Sequence, residues 1–395
     1  MYEQLKERFA QTFGKAPDYI FSAPGRTELG GNHTDHQHGK VLAAAVDRET
    51  LAAVAPNSSH TVNLLSEGFP TCHIDLSDLT VHPEEEGKTS ALIRGVAAKF
   101  REYGLKGFDA YVTSNVLSGS GLSSSAAFEV LVGVIFNHLC SAGKNAVEIA
   151  QIGQYAENVY FDKPCGLMDQ TASSVGNIIG IDFADPKNPI VTPIPFDFSA
   201  SGYRLCIIDS GASHADLTDE YAAITQELKA VCRFFGKEFL RDVSESQFYE
   251  NIAAVRKAVG DRAVLRAIHV FEENKRVEKQ TEALLAGNFE AFLKLVTESG
   301  HSSWLMLQNV VPAGRKEAQE VAYSLAVAQQ LLGGRGACRV HGGGFAGTIQ
   351  AFVPEDMVDA FRAGMERALG EGSCHIMSIR KEGGILLEEC EYDHH

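Results

Sequence analysis

The chain has 395 residues, 45% of them hydrophobic and 22% charged, the balance of a soluble globular protein with core enough for two or three domains. Its net charge of −16, from 35 basic against 51 acidic residues, argues against nucleic acid or an anionic membrane surface as a partner. Apolar runs such as Val130–Phe136 are far too short to span a bilayer.

Along the chain, Tyr2–Phe13 carries Leu5, Phe9 and Phe13 at four-residue spacing and is predicted to be an amphipathic helix. Its start has no basic stretch followed by an apolar one, so no signal peptide is expected. A short strand over Tyr19–Ala23 should end at Pro24-Gly25. Val41–Val46, Leu51–Val54 and Thr61–Leu65 read as strands, and Pro83–Gly87 as a solvated turn. A helix is predicted over 90–103, a strand over 108–116, and helices over 123–139 and 146–161. Asn177–Phe183 and Tyr203–Asp209 read as strands, with a Pro-rich connector over 187–200 between them. We therefore expect two units, 1–195 and 196–395. In the second, helices are predicted over 215–235, 248–259, 264–286, 289–297, 317–332 and 354–369. Strands are predicted there over 337–340, 347–353 and 374–380. This mixture predicts an α+β fold. Eight cysteines without a C-x-x-C pair read as buried, reduced thiols of a cytoplasmic protein.

The most informative stretch is Leu117-Ser118-Gly119-Ser120-Gly121-Leu122-Ser123-Ser124-Ser125-Ala126-Ala127, between a predicted strand and a predicted helix. Gly119 and Gly121 allow close backbone approach. Ser123, Ser124 and Ser125 bring hydroxyls and N–H groups to a helix N-terminus, an arrangement suited to a phosphate chain even in an acidic protein. The third glycine of a dinucleotide fingerprint is missing, and no Gly-Lys-Ser/Thr closes a P-loop. Gly87-Lys88-Thr89 has such a tail, but His82 stands where its leading glycine belongs. The H-R-D and D-F-G marks of protein kinases are absent. Alone, the loop is also readable as a plain flexible entry into a helix.

Two further stretches narrow the choice: Ala23-Pro24-Gly25-Arg26 with Gly31-Asn32-His33-Thr34-Asp35, and His341-Gly342-Gly343-Gly344-Phe345-Ala346-Gly347. In this order with the Gly-Ser loop they resemble the galactokinase branch of the GHMP small-molecule kinases, over nearly the whole chain. The resemblance implies two α+β lobes with the site in the cleft between them. It implies ATP and Mg²⁺ as cosubstrates and phosphorylation of a hexose anomeric hydroxyl. Residue by residue, it makes Asp169 the proton acceptor, Arg26 its partner, and Ser125 and Glu157 the Mg²⁺ ligands. Asn32, His33, Asp35, Tyr221 and the Gly166 backbone fall on the sugar-contacting positions. Gly119, Gly121 and Ser123–Ser125, with Gly343 and Gly344, fall on the nucleotide phosphates.

Such chemistry needs positioning and neutralised phosphate charge more than covalent help. A hydroxyl and a carboxylate suffice for Mg²⁺, which keeps several waters. An arginine beside Asp169 would keep it ionised. Blander readings exist: an ordinary Arg26–Asp169 ion pair, a solvated Glu157, a structural His33, and a tight strand connection at the glycines.

The chain also departs from the family's usual Gly-Glu-His-Thr-Asp-Tyr, reading Gly31-Asn32-His33-Thr34-Asp35-His36. Asn32 keeps an acceptor, loses a charge and gains two donors where the family accepts the sugar's 6-hydroxyl. Asp35-His36-Gln37 also looks like plant galacturonate kinases, so a uronate substrate is a second expectation. Leu117 and Ala346 replace a usual proline and glycine, and residues 299–325 match only loosely. The histidines at 36 and 38 are a weak metal signal. A catalytically silent sugar sensor, or another superfamily enzyme such as a mevalonate kinase, are the remaining alternatives. The oligomeric state is left open.

Overall fold

The computed structural model describes residues 2–117, 120–163 and 165–390, built on two sheets with helices packed against them. In the larger sheet the path runs Ile385–Glu389, Tyr19–Gly30, Lys40–Pro56, Phe108–Ser114, Thr61–Ser66, Cys72–Asp75. Thr61–Ser66 and Phe108–Ser114 are parallel; the other pairings are antiparallel. Lys40–Pro56 is one strand of 17 residues, where two shorter strands are predicted. It serves Phe108–Ser114 along residues 50–56 and Ile178–Asp182 along residues 40–44. Its alanine-rich sequence is buried at Val41–Val46 and Leu51–Ala55, which suits a strand covered on both faces.

The smaller sheet is antiparallel, in the order Cys374–Met377, Tyr203–Asp209, Thr348–Pro354, Ala337–Val340. The change of sheet falls between Ile190–Ile194 and Tyr203–Asp209, near the expected boundary. The division is not clean, because Ile385–Glu389 returns to pair with Tyr19–Ser22. Ile190–Ile194 is itself a strand within the predicted connector. Among the described residues it pairs with Ile178–Asp182 alone, an edge position where Pro193 removes no needed donor.

The first strand also differs from expectation in a way that builds the site. It does not stop at Pro24-Gly25 but runs to Gly30, with its register shifting between Pro24 and Arg26. A proline at such a bulge forfeits no ladder bond. Gly25 has a second reason: a Cβ there would lie 2.9 Å from the Leu122 carbonyl, and the Arg26 N–H donates to that same carbonyl at 3.0 Å. Glycine thus lets the strand lie against the Gly-Ser loop. The strand's far end meets the second sheet, where Gln350 donates to the Thr27 hydroxyl at 2.7 Å and the Glu28 carbonyl at 3.0 Å.

Candidate active site

Asp169 opens the helix Met168–Val175, which the sequence reading leaves out. Arg26 Nε donates to its Oδ1 at 2.7 Å, and the Ser123 hydroxyl donates to its Oδ2 at 2.5 Å. A second Arg26 nitrogen donates to the Gly121 carbonyl at 2.5 Å, tying the pair to the Gly-Ser loop. Burial opposes ionisation of Asp169, but Arg26 and Ser123 outweigh it and hold the carboxyl below its ordinary value. Ser123 reaches Asp169 from the left-handed region, with φ 55°, an unfavourable conformation for serine that its surroundings must enforce. Its hydroxyl is thus on Asp169, not turned to a phosphate as expected.

The helix Ser124–Leu139 begins one residue on. Ser124 and Ser125 line a cleft of about 420 Å³ with Leu92, Phe128 and Phe161 behind them and the exposed Phe69 beside them. One turn below Ser125, Glu129 is fully buried. Gln170 Nε2 is shared by Glu129 Oε2 at 2.9 Å and Glu157 Oε2 at 2.8 Å. Burial, with Glu157 nearby, pushes the Glu129 carboxyl well up. Lys163 donates to the other Glu157 oxygen at 3.0 Å, so an ammonium stands on the carboxylate expected to hold a cation. A solvated Glu157 is therefore not what the chain builds: its side chain is 3% exposed. Among the described residues no group of three or more acidic, histidine or cysteine side chains could hold a metal.

Asp35 lies across from Gly166, whose Cβ would stand 3.3 Å from Asp35 Oδ2. Burial pushes the Asp35 carboxyl up, with the nearby Asp169 acting in the same direction and His33 against it. His33 has φ 60°; its Nε2 meets the Gly343 carbonyl at 2.9 Å and its Nδ1 meets His36 Nε2 at 3.3 Å. Burial and the charge of His33 bring His36 down to about 3, so it is neutral.

Two expected sugar contacts are arranged otherwise. Asn32 is wholly buried, and its amide is bonded within the protein on both ends. Its nitrogen donates to Glu28 Oε1 at 3.0 Å and the Gly342 carbonyl at 2.7 Å. Its oxygen accepts from Ser303 at 3.1 Å and Asn309 at 2.9 Å. An amide has two donors and two acceptor sites, so none is left for a ligand. Nor is the charge missing, because buried Glu28 touches Asn32 directly. The physical basis for expecting a uronate therefore falls away. Tyr221, the second case, donates its hydroxyl to the Gly344 carbonyl at 2.8 Å and takes a bond from His214 at 2.9 Å.

The glycine turn is accordingly held by its carbonyls. Gly342 is bonded by Asn32, Gly343 by His33 and Asn309, and Gly344 by Tyr221. Gly343 lies on the Tyr221 ring, where a Cβ would be 2.9 Å from Cε1, and Gly344 has φ 80° against Asn309. The same segment supports the Gly-Ser loop, for the Thr348 hydroxyl donates to the Ser120 carbonyl at 3.0 Å. Of the expected nucleotide contacts, Gly119 lies outside the described residues.

Gln170, Glu129, Lys163, Asn309 and Glu28 were missed as site residues. Only Glu129 carried a sequence signal: a lone carboxylate in the apolar run Phe128–Phe136, which is seldom buried without purpose.

Comparison with known proteins gives the family and the fold. Residues 7–56 match the galactokinase galactose-binding signature, and residues 91–177 match the GHMP kinases N terminal domain. The chain is 33% identical to a galactokinase of Glaesserella parasuis over 91% of each chain. It is 32% identical to one of Streptomyces coelicolor, over 92% of this chain and 91% of that one. The structure superposes on Lactococcus lactis galactokinase complexed with galactose with TM-score 0.81 at 27% identity, covering 98% of this chain and 100% of that one. A Methanococcus jannaschii mevalonate kinase, at TM-score 0.64 and 15% identity over 91% and 98% of the two chains, shares the fold.

Proposed function

The chain belongs to the galactokinase family of GHMP kinases, and on that premise we propose that it transfers the γ-phosphoryl group of ATP to the anomeric hydroxyl of galactose or a close neutral relative. The observation that carries the reading is the Asp169 carboxylate, held ionised by Arg26 and Ser123 beside the Gly-Ser loop. In the transfer, the anomeric oxygen forms the new O–P bond and the bond from the γ-phosphorus to the ADP oxygen breaks. The hydroxyl proton passes to Asp169. A carboxylate held below its ordinary value is a weak base, so it does not strip the sugar in advance. It orients the hydroxyl and takes the proton late, as the loose transition state of phosphoryl transfer allows. Arg26 holds Asp169 and places positive charge near the moving phosphoryl group.

Asp35 and the Gly166 backbone are assigned to sugar hydroxyls, with His33 at the edge of that site. The triphosphate is assigned to the Gly-Ser loop, and its base to the apolar cleft beside Ser124 and Ser125. Ser125 and Glu157 would hold Mg²⁺, which supplies neutralising charge to the β- and γ-phosphates. A silent sugar sensor has no use for this set of transfer groups. A cytoplasmic setting, where ATP is supplied, goes with the reading and with eight unpaired cysteines.

The test is Asp169→Asn. Turnover should fall by about three orders of magnitude or more while galactose and ATP still bind, since the substitution removes the proton acceptor and little volume. Turnover within ten-fold of the parent would remove Asp169 from this role.

A further inference from the structure

Two departures from the family pattern stand far apart in sequence: Asn32, and the loosely matching stretch 299–325. In space they are one feature. Ser303 and Asn309, from that stretch, supply both bonds to the Asn32 amide oxygen. Ser303 begins a π-helical turn, Ser303–Leu307, a distortion that recurs at functional places. Asn309 also donates to the Gly343 carbonyl at 3.1 Å, the group that His33 contacts from the other side. Beneath them, the long helix Asp261–Leu285 holds the motif's backbone. Glu273 accepts from the Gly31 N–H at 3.1 Å, and His269 Nε2 bonds the Asn32 carbonyl at 2.8 Å. Glu28 is in turn paired with buried Arg339.

We propose that Asn32 is a positioning residue of the sugar site: it does not touch the sugar but joins the motif Gly31–Asp35 to the glycine turn 342–344 and to residues 303–309, with Glu28 as its charged partner. This deepens the sugar-kinase reading and rests on it. A carboxylate at position 32 would meet the Glu28 carboxylate and the Gly342 carbonyl, two oxygens, where the amide now donates to both. The amide at 32 and the carboxylate at 28 are therefore a matched pair. Their joint effect is felt through His33 and Asp35, whose backbone the motif carries.

The experiment compares the KM of galactose, the KM of MgATP and the galactose to 6-deoxygalactose preference in four proteins. These are the parent, Asn32→Asp, Asn32→Asp with Glu28→Gln, and Ser303→Ala. Asn32→Asp should raise the galactose KM about ten-fold or more and leave the MgATP KM within about two-fold. Adding Glu28→Gln restores a donor opposite the new carboxylate and should recover at least three-fold of that loss. The preference between the two sugars should stay within two-fold throughout, because Asn32 makes no contact with C6. Ser303→Ala, a mild change that keeps the fold if Asn32→Asp does not, should raise the galactose KM two- to five-fold with the preference unchanged. Loss of the preference in the Asn32 variant, or a double variant no better than the single one, would overturn the proposal. A parent that phosphorylates a different sugar would overturn the substrate reading alone, and the coupling is then read on that sugar.

Discussion

Ser123 is the residue whose observed role differs most from its expected one. Its hydroxyl is bonded to the second oxygen of Asp169, the carboxylate we propose as proton acceptor. Ser123→Ala should lower kcat about ten- to hundred-fold, since one hydrogen bond to a charged group contributes roughly 1.5–3 kcal/mol, with the MgATP KM little changed. A change in the MgATP KM alone would return Ser123 to the phosphates. Lys163 makes a second local prediction. Its ammonium covers Glu157 Oε1 yet is 59% exposed, so it competes with any cation there. Lys163→Met should tighten Mn²⁺ binding to the ligand-free protein about three-fold or more, followed by electron paramagnetic resonance. Weaker or equal binding would place the cation elsewhere. At this scale the sequence is eloquent about identity and silent about partners. Asp169 and Arg26 stand in short motifs and are readable at once. The bonds that occupy the Asn32 amide oxygen come from 271 and 277 residues away, and no local pattern announces them.

Elements with a clean period are legible: Tyr2–Phe13, Tyr203–Asp209 and Ala337–Val340 run between the bounds expected of them. Those set by tertiary contact are not. Met168–Val175 is a short helix rich in Ser and Thr, residues that favour caps and turns over helix interiors, yet it aims Asp169. Ile385–Glu389 is a half-exposed edge strand, placed by its partner strand, by Leu386 packing on the core and by the Lys6–Glu388 pair. The charged Asp47-Arg48-Glu49, between the predicted strands Val41–Val46 and Leu51–Val54, does not interrupt Lys40–Pro56. The glycine turn offers a test at this scale. Gly344 holds φ 80° with the Asn309 backbone directly over it. Gly344→Ala should cost roughly 2 kcal/mol or more, read as a lower urea midpoint with an unchanged slope. An unchanged midpoint would mean that the turn is free to shift.

At the scale of the whole molecule, buried neutral histidines tie separate elements together: His341 bonds Thr27 of the larger sheet and Thr348 of the smaller one, and His269 ties the helix Asp261–Leu285 to the Asn32 carbonyl. Burial holds His269, which faces Glu273, Arg276 and His33, at about 4 against an ordinary 6.5. His341, facing Arg26, Arg339 and Asp169, is held at about 3 by burial. As pH falls below 6.5 the unfolded chain takes up these two protons first, so the folded state loses stability from there down to about 4. With about 1.4 kcal/mol per group and pH unit, these two alone contribute a loss approaching roughly 2.7 kcal/mol per unit, and His36, held at about 3, adds to it. Glu273, held at about 2 by His269, Arg276 and Arg339 despite burial, adds a further loss below about pH 4.3. Stability that stays flat from pH 6.5 to 5 would contradict this.

The central claim, phosphoryl transfer to the anomeric oxygen of a neutral hexose, is met most directly by identifying the product. The protein is incubated with ATP, Mg²⁺ and galactose, and separately with galacturonate, and the products are read by phosphorus NMR. The account predicts galactose 1-phosphate with stoichiometric ADP, and a kcat/KM for galacturonate at least ten-fold lower. Phosphate on any other galactose hydroxyl, or galacturonate as the better substrate, would contradict it.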